Sequence, residues 1–180
     1  MPEYSADERK FLLQLAHESI TASLQRREPV CLTPPSHLCE PRGVFTTLYL
    51  DSRLRGCVGY PSATHPLYRA TIETARAAAF EDPRFAPVTV AEAGEIEISL
   101  SVLSPLAPIT PEEIQIGVHG LVISDAGRRG LLLPQVPVEH GWDRTIFLEQ
   151  TCLKAGLPRD AWRRGARIEG FTAEVFSDLE

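Results

Sequence analysis

Apolar positions recur along this chain with two different periods. Ser5-Ala6-Asp7-Glu8 has the form of a capping box, Ser at the cap and Glu three residues later. Phe11, Leu12, Leu15, Ala16, Ser19, Ile20 and Leu24 follow at helical spacing, which predicts a first helix from Ala6 to about Arg26. After a Pro-rich loop the period changes. Val44 to Leu50 is β-branched and aromatic, Asp51-Ser52-Arg53 reads as a turn, and Leu54 to Val58 returns as the second arm of a hairpin. Tyr60 to His65 reads as a loop, and Pro66 opens a helix through Leu67, Ala70, Thr71, Thr74, Ala75 and Ala78. Its many alanines imply close packing against a sheet.

The second half repeats these signals. Phe80 to Pro87 reads as a loop with two aromatic anchors, and Thr89-Val90-Ala91-Glu92 as a capping box for one turn. Glu95 to Leu103 alternates strictly, with Ile96, Ile98, Leu100 and Val102 opposite Glu95, Glu97, Ser99 and Ser101, the pattern of a strand with one wet face. Thr110-Pro111-Glu112-Glu113 starts a short helix. Val118–Ser124 and Gly130–Leu133 form a hairpin around Asp125-Ala126-Gly127, Thr145–Ala155 is helical, and Arg167–Phe176 is a final strand. Parallel βαβ units are absent. The class is therefore α+β, a mainly antiparallel sheet flanked by helices.

Composition narrows the picture. The chain has 180 residues, 43% apolar and 23% charged, with a net charge of −6. That is enough for one domain with a sizeable core, or a domain with a small lobe. No apolar stretch approaches the ~20 residues that span a bilayer. The acidic start, Met1 to Glu8, lacks the form of a secretion signal, so a cytoplasmic protein without membrane association is expected. The four cysteines, Cys31, Cys39, Cys57 and Cys152, are then expected as free thiols. Without a Cys-x-x-Cys or paired-histidine motif, no metal site is expected, and no cofactor is implied. Arg159, Arg163, Arg164 and Arg167 surround Trp162, a pattern that nucleic-acid binders share with ordinary solvated turns.

Two segments concentrate chemistry. In Leu54-Arg55-Gly56-Cys57-Val58-Gly59, glycines on both sides of the thiol let backbone or ligand approach it, and Arg55 could hold a thiolate. A small buried cysteine explains the same residues. In Leu131 to Asp143, an apolar strand runs into a loop carrying Gln135, Glu139 and His140 ahead of a helix, side chains suited to amide recognition and proton transfer. A rigid Pro134–Pro137 connection with Trp142 in the core explains it equally. Cys152, with Leu148 and Ala155, reads as a core thiol. His65 and His119 are loop histidines open to base or ligand roles.

Many segments in order, among them Pro41 to Leu48, Leu54 to Gly59, Ala79 to Phe85, Ile98 to Pro105, Gly117 to Leu121, Arg129 to Val136 and Gly141 to Asp143, make the chain resemble the AMMECR-one domain family over nearly its whole length. Val58 stands where the family commonly has isoleucine, and His140 where it has Glu or Gln. The resemblance implies an α+β fold, a single domain over residues 1–180 with a larger and a smaller lobe, and a cleft near the Arg-Gly-Cys segment. It also implies company. Bacterial and archaeal relatives are often encoded beside, or fused to, a Memo-type dioxygenase-like protein and a radical SAM protein, the AmmeMemoRadiSam system.

The expectation is then an enzyme or substrate-handling component acting on a small molecule or a protein. Cys57 would be nucleophile or substrate anchor, Arg55 an anion clamp, with Gly56 and Gly59 shaping the site. Glu139 would act as acid/base, and Gln135 and His119 would orient the substrate. The rival is a non-catalytic interaction module of the same pathway. Nucleic-acid binding ranks third.

Overall fold

The computed structural model describes residues 1–30 and 32–179, so Cys31 lies outside the described residues. The chain folds into two compact units. The first comprises Met1–Leu103 and the stretch from Glu174, and the second Ser104–Ala173.

In the first unit the capping box is present. Ser5 accepts the Glu8 amide, Glu8 accepts the Ser5 amide, and α1 runs Ala6–Leu24, two residues shorter than its periodicity suggests. The strands β1 (Val44–Leu50) and β2 (Arg53–Tyr60) form the hairpin. Asp51 and Ser52 both have positive φ, 49° and 60°, so the turn has two residues, and Arg53 joins the strand opposite Leu50. The strand also continues two residues past Val58. Then come α2 (Leu67–Phe80), the single capped turn α3 (Val90–Ala93) and β3 (Glu97–Leu103).

Val44, Thr46 and Leu48 of β1 and Ile98, Leu100 and Val102 of β3 are buried, in one core with Leu12, Ala16 and Ile20 of α1 and Ala75 and Ala78 of α2. Thr46 is polar in that core but bonded. Thr74 donates to Ala70 O at 2.8 Å, so Thr46 donates to Thr74 Oγ1, also at 2.8 Å. The other face carries Phe45, Thr47 and Tyr49 of β1 opposite Ser101, Ser99 and Glu97 of β3. These polar positions are half-buried rather than fully wet.

The second unit holds β4 (Ala107–Pro108), β5 (Gly120–Asp125), β6 (Arg128–Leu132) and β7 (Arg167–Phe171), in the order β4-β7-β5-β6. The segment at Thr110 is a capped 3-10 turn, Pro111–Glu113. The stretch read as a loop before the helix expected at Thr145–Ala155 is itself helical. There α4 spans Gln135–His140, with Pro134 at its cap, Pro137 within the first turn where no N–H is needed, and Gly141 closing it at φ 64°. Next, α5 (Arg144–Lys154) is capped by Asp143, which accepts the Ile146 amide at 2.8 Å. Phe147, Leu148 and Cys152 of α5 pack with Leu121 and Ile123 of β5, and Trp142 lies against this core half-buried.

The final segment is not one strand. It changes sheets at Thr172, so β7 belongs to the second unit's sheet and β8 (Ala173–Ser177) closes the first as β2-β1-β3-β8. The unbroken alternation of Arg167–Phe176 carries no mark of that switch.

Candidate functional site around Cys57

One backbone irregularity decides where Cys57 points. Leu50 pairs with Arg53 and Tyr49 with Leu54, but Leu48 pairs with Gly56 and Thr47 with Cys57. Arg55 is the extra residue of a β-bulge. In unbroken register Arg55 would oppose buried Leu48, and Cys57 would oppose buried Thr46, beneath α2. The bulge keeps the guanidinium out of the core and turns Cys57 to the open face. There Cys57, Thr47 and Ser99 form a row across three strands.

The same shift sends Gly56 inward. A Cβ on Gly56 would stand 2.1 Å from the Ala78 carbonyl oxygen, and one on Gly59 would stand 2.1 Å from the Phe45 ring. Both glycines are therefore required by packing of the helix and of the ring. They are occupied by protein.

Cys57 itself is half-buried, and Thr47 Oγ1 donates to its Sγ at 3.4 Å. Its strand is a sheet edge. The Cys57 amide donates to Asp82 Oδ2 at 2.9 Å, so a side chain stands where a neighbouring strand would. Asp82 is 5% exposed. It also accepts the Arg84 amide at 3.1 Å and the Arg84 guanidinium at 3.0 and 2.7 Å. Bonding to Arg84, with the two amides, holds its carboxyl far below the usual carboxylate range against the opposing effect of burial. Arg84 is raised in return, chiefly by Asp82 and to a lesser degree by Cys57.

Arg55 is committed elsewhere. Its guanidinium grips Glu92 with two bonds, 3.0 and 3.1 Å, and Glu92 also accepts the Thr89 amide at 2.8 Å. That guanidinium is the main cause holding the Glu92 carboxyl down to about 2. Arg55 and Arg84 lie 5.9 and 5.4 Å from the Phe85 ring centre. Arg55 Nη1 is buried with no protein partner. A cavity of about 440 Å³ adjoins the bulge, lined by Leu50, Asp51, Arg53, Leu54 and Arg55.

The other three candidates belong to the second unit. His119 is half-buried in a loop before β5, and its Nδ1 accepts the Gln115 amide at 3.0 Å. Gln135 and Glu139 are exposed at the first and fifth positions of α4. Cys152 lies in the core, where burial pushes its thiol up. The arginines around Trp162 are partly paired, Arg164 with Asp160 at 2.7 Å and Arg167 with Glu169 at 3.2 Å. Cys39, Cys57 and Cys152 are free thiols. Among the described residues, no group of three or more His, Cys, Asp and Glu could hold a metal ion, and no helix is long and apolar enough to cross a membrane.

Sequence reasoning missed Thr47, Asp82, Arg84 and Glu92. Thr47 follows from the register once the bulge is known. Asp82-Pro83-Arg84 carries a weak signal, an acid and a base in a loop returning to the hairpin.

This arrangement can be compared with known proteins. The family model described as AMMECR1 matches residues 13–176. Protein MK0488 of Methanopyrus kandleri is 46% identical over 186 residues, covering 97% of this chain and 90% of that protein. Protein PH0010 of Pyrococcus horikoshii is 42% identical over 184 residues, covering 94% and 89%. The crystal structure of uncharacterized protein PH0010 superimposes with a TM-score of 0.83 at 39% identity, covering 96% of this chain and 92% of that one. With the match spanning both sheets, the bulged Arg-Gly-Cys hairpin and the Asp82 loop, the chain belongs to the AMMECR1 family.

Proposed function

We propose that this protein is a substrate-handling component of a modification pathway that also uses a Memo-type dioxygenase-like protein and a radical SAM protein. The open sheet face holds the substrate, with Cys57 as its anchor. One observation carries this reading: a bulge and a buried carboxylate together fix a thiol on the polar face of an edge strand, although the core side was available to it. The Thr47 hydroxyl donates to Sγ and holds the sulfur in place on that face. Ser99 lies beside Thr47 in the same row, ready to meet a polar substrate.

The test is retention of substrate. Parent protein and Cys57→Ser, both verified as folded, are equilibrated with a small-molecule extract of the host and analysed by mass spectrometry. A compound held by the parent and lost by the variant is expected. Equal retention by both overturns the reading.

The packing of Gly56 and Gly59 favours a second reading, an interaction module whose tightly packed shape serves a partner protein. In that case the Memo-type and radical SAM proteins bind parent and Cys57→Ser alike, and no compound depends on the thiol.

A further inference from the structure

We infer that the second unit carries a binding site of its own, a cavity beside His119 that accepts an amide edge, a carbonyl next to an N–H, on an apolar body. It does not depend on Cys57. The cavity measures about 490 Å³, inside the roughly 300–1,000 Å³ range of small-molecule sites. Pro105, Ile109 and Phe171 give it apolar walls, and Glu113, Gln115 and His119 supply the polar groups.

The chemistry follows from which atoms are already used. His119 Nδ1 accepts the Gln115 amide at 3.0 Å, so the neutral ring carries its proton on Nε2. Among the described residues Nε2 has no hydrogen-bond partner, and the ring is left with one outward donor. Glu113 is fixed in the opposite sense. Its Oε2 accepts the Thr110 amide at 2.8 Å and the Thr110 hydroxyl at 2.9 Å, which leaves Oε1 as a free acceptor. Those Thr110 bonds keep Glu113 ionised, and His119 is close enough to contribute.

A donor and an acceptor held on one cavity select among ligands. A carboxylate or phosphate would satisfy His119 but face the charge of Glu113. An ammonium would satisfy Glu113 and leave the Nε2–H unmatched. A hydrocarbon would desolvate both without return. An amide edge satisfies both, its carbonyl on His119 and its N–H on Glu113, while its apolar body covers Ile109 and Phe171.

Titration of the full-length chain by NMR tests this, with benzamide as an open carboxamide, uracil as a cyclic amide and benzoate as the anionic control. An amide probe should shift the Ile109, His119 and Phe171 resonances, and benzoate should not. His119→Asn can still accept the Gln115 amide but loses the outward donor, and should weaken binding about tenfold. His119→Gln keeps an N–H at the ε position and should restore most of it. Tighter binding of uracil than of benzamide assigns the site to a nucleobase-like ligand, and the reverse to a carboxamide; either supports the inference. Benzoate binding as tightly as the amides, unchanged affinity in His119→Asn, or no shift at these residues overturns it.

Discussion

Both units solve the same packing problem with the same residue, and they differ in what stands next to it. Each lays a helix on an antiparallel sheet and lets backbone touch backbone at a strand glycine. In the first unit Gly56 faces the Ala78 carbonyl of α2; in the second Gly130 faces the Ala155 amide just after α5, where a Cβ would stand 2.4 Å from the nitrogen. The accompanying cysteines part ways. Cys152 is 0% exposed on α5 and closes the core. Cys57, one residue after its glycine, lies on the far side of the sheet, with its amide tied to Asp82. A glycine contact is thus a structural device common to both units, and the bulge with its carboxylate is what sets the Cys57 region apart.

Removing the bulge breaks that distinction most severely. Deleting Gly56 restores unbroken register, which pairs Arg55 with Leu48 and forces its guanidinium toward α2 in place of the glycine. The expected outcome is loss of the cooperative unfolding transition of the first unit in circular dichroism. A variant that keeps its transition would show that the bulge is not what holds Arg55 out of the core.

The glycine contacts are next in size. Gly56→Ala and Gly130→Ala each overpack against helix backbone, with a cost near the upper end of about 1–3 kcal/mol. Gly94 has open space around it, and Gly94→Ala is expected to be neutral or slightly stabilising. Denaturant melts of the three variants check the ranking. Equal stability of Gly56→Ala and the parent would remove the contact from the account.

The hairpin was legible from its β-branched run, and the caps from Ser5, Thr89 and Glu92. Their signals are local, and the structure realises them. The bulge was not legible, because alternation in Leu54–Gly59 is hidden by two glycines that have no side chain to show a face. The sheet switch at Thr172 was hidden for a related reason, since one continuous alternation serves two strands. Pro134 and Pro137 suggested a rigid loop, yet both positions tolerate proline at a helix start. Asp82 was hard to see as a site residue because its partner Cys57 is joined to it by folding rather than by spacing.

A smaller effect separates the units through pH. The folded-state values of Asp82 and Glu92 lie below their unfolded ones, about 3.9 and 4.3. Their contribution is complete above those values and fades as pH falls through the folded ones. The first unit should therefore lose stability from about pH 5 toward pH 2, and Asp82→Asn with Glu92→Gln should flatten that decline. An unchanged pH profile would mean that the two ion pairs are not formed.

The most direct measurement is the rate at which iodoacetamide alkylates each thiol of the folded chain at pH 7, read by peptide mass spectrometry. Cys39 is exposed and serves as the internal standard, and Cys152 should stay unreacted. The account predicts that half-buried Cys57 reacts faster than Cys39, and that Thr47→Val slows Cys57 while leaving Cys39 unchanged. Alkylation of Cys57 no faster than Cys39, or indifferent to Thr47→Val, would contradict it.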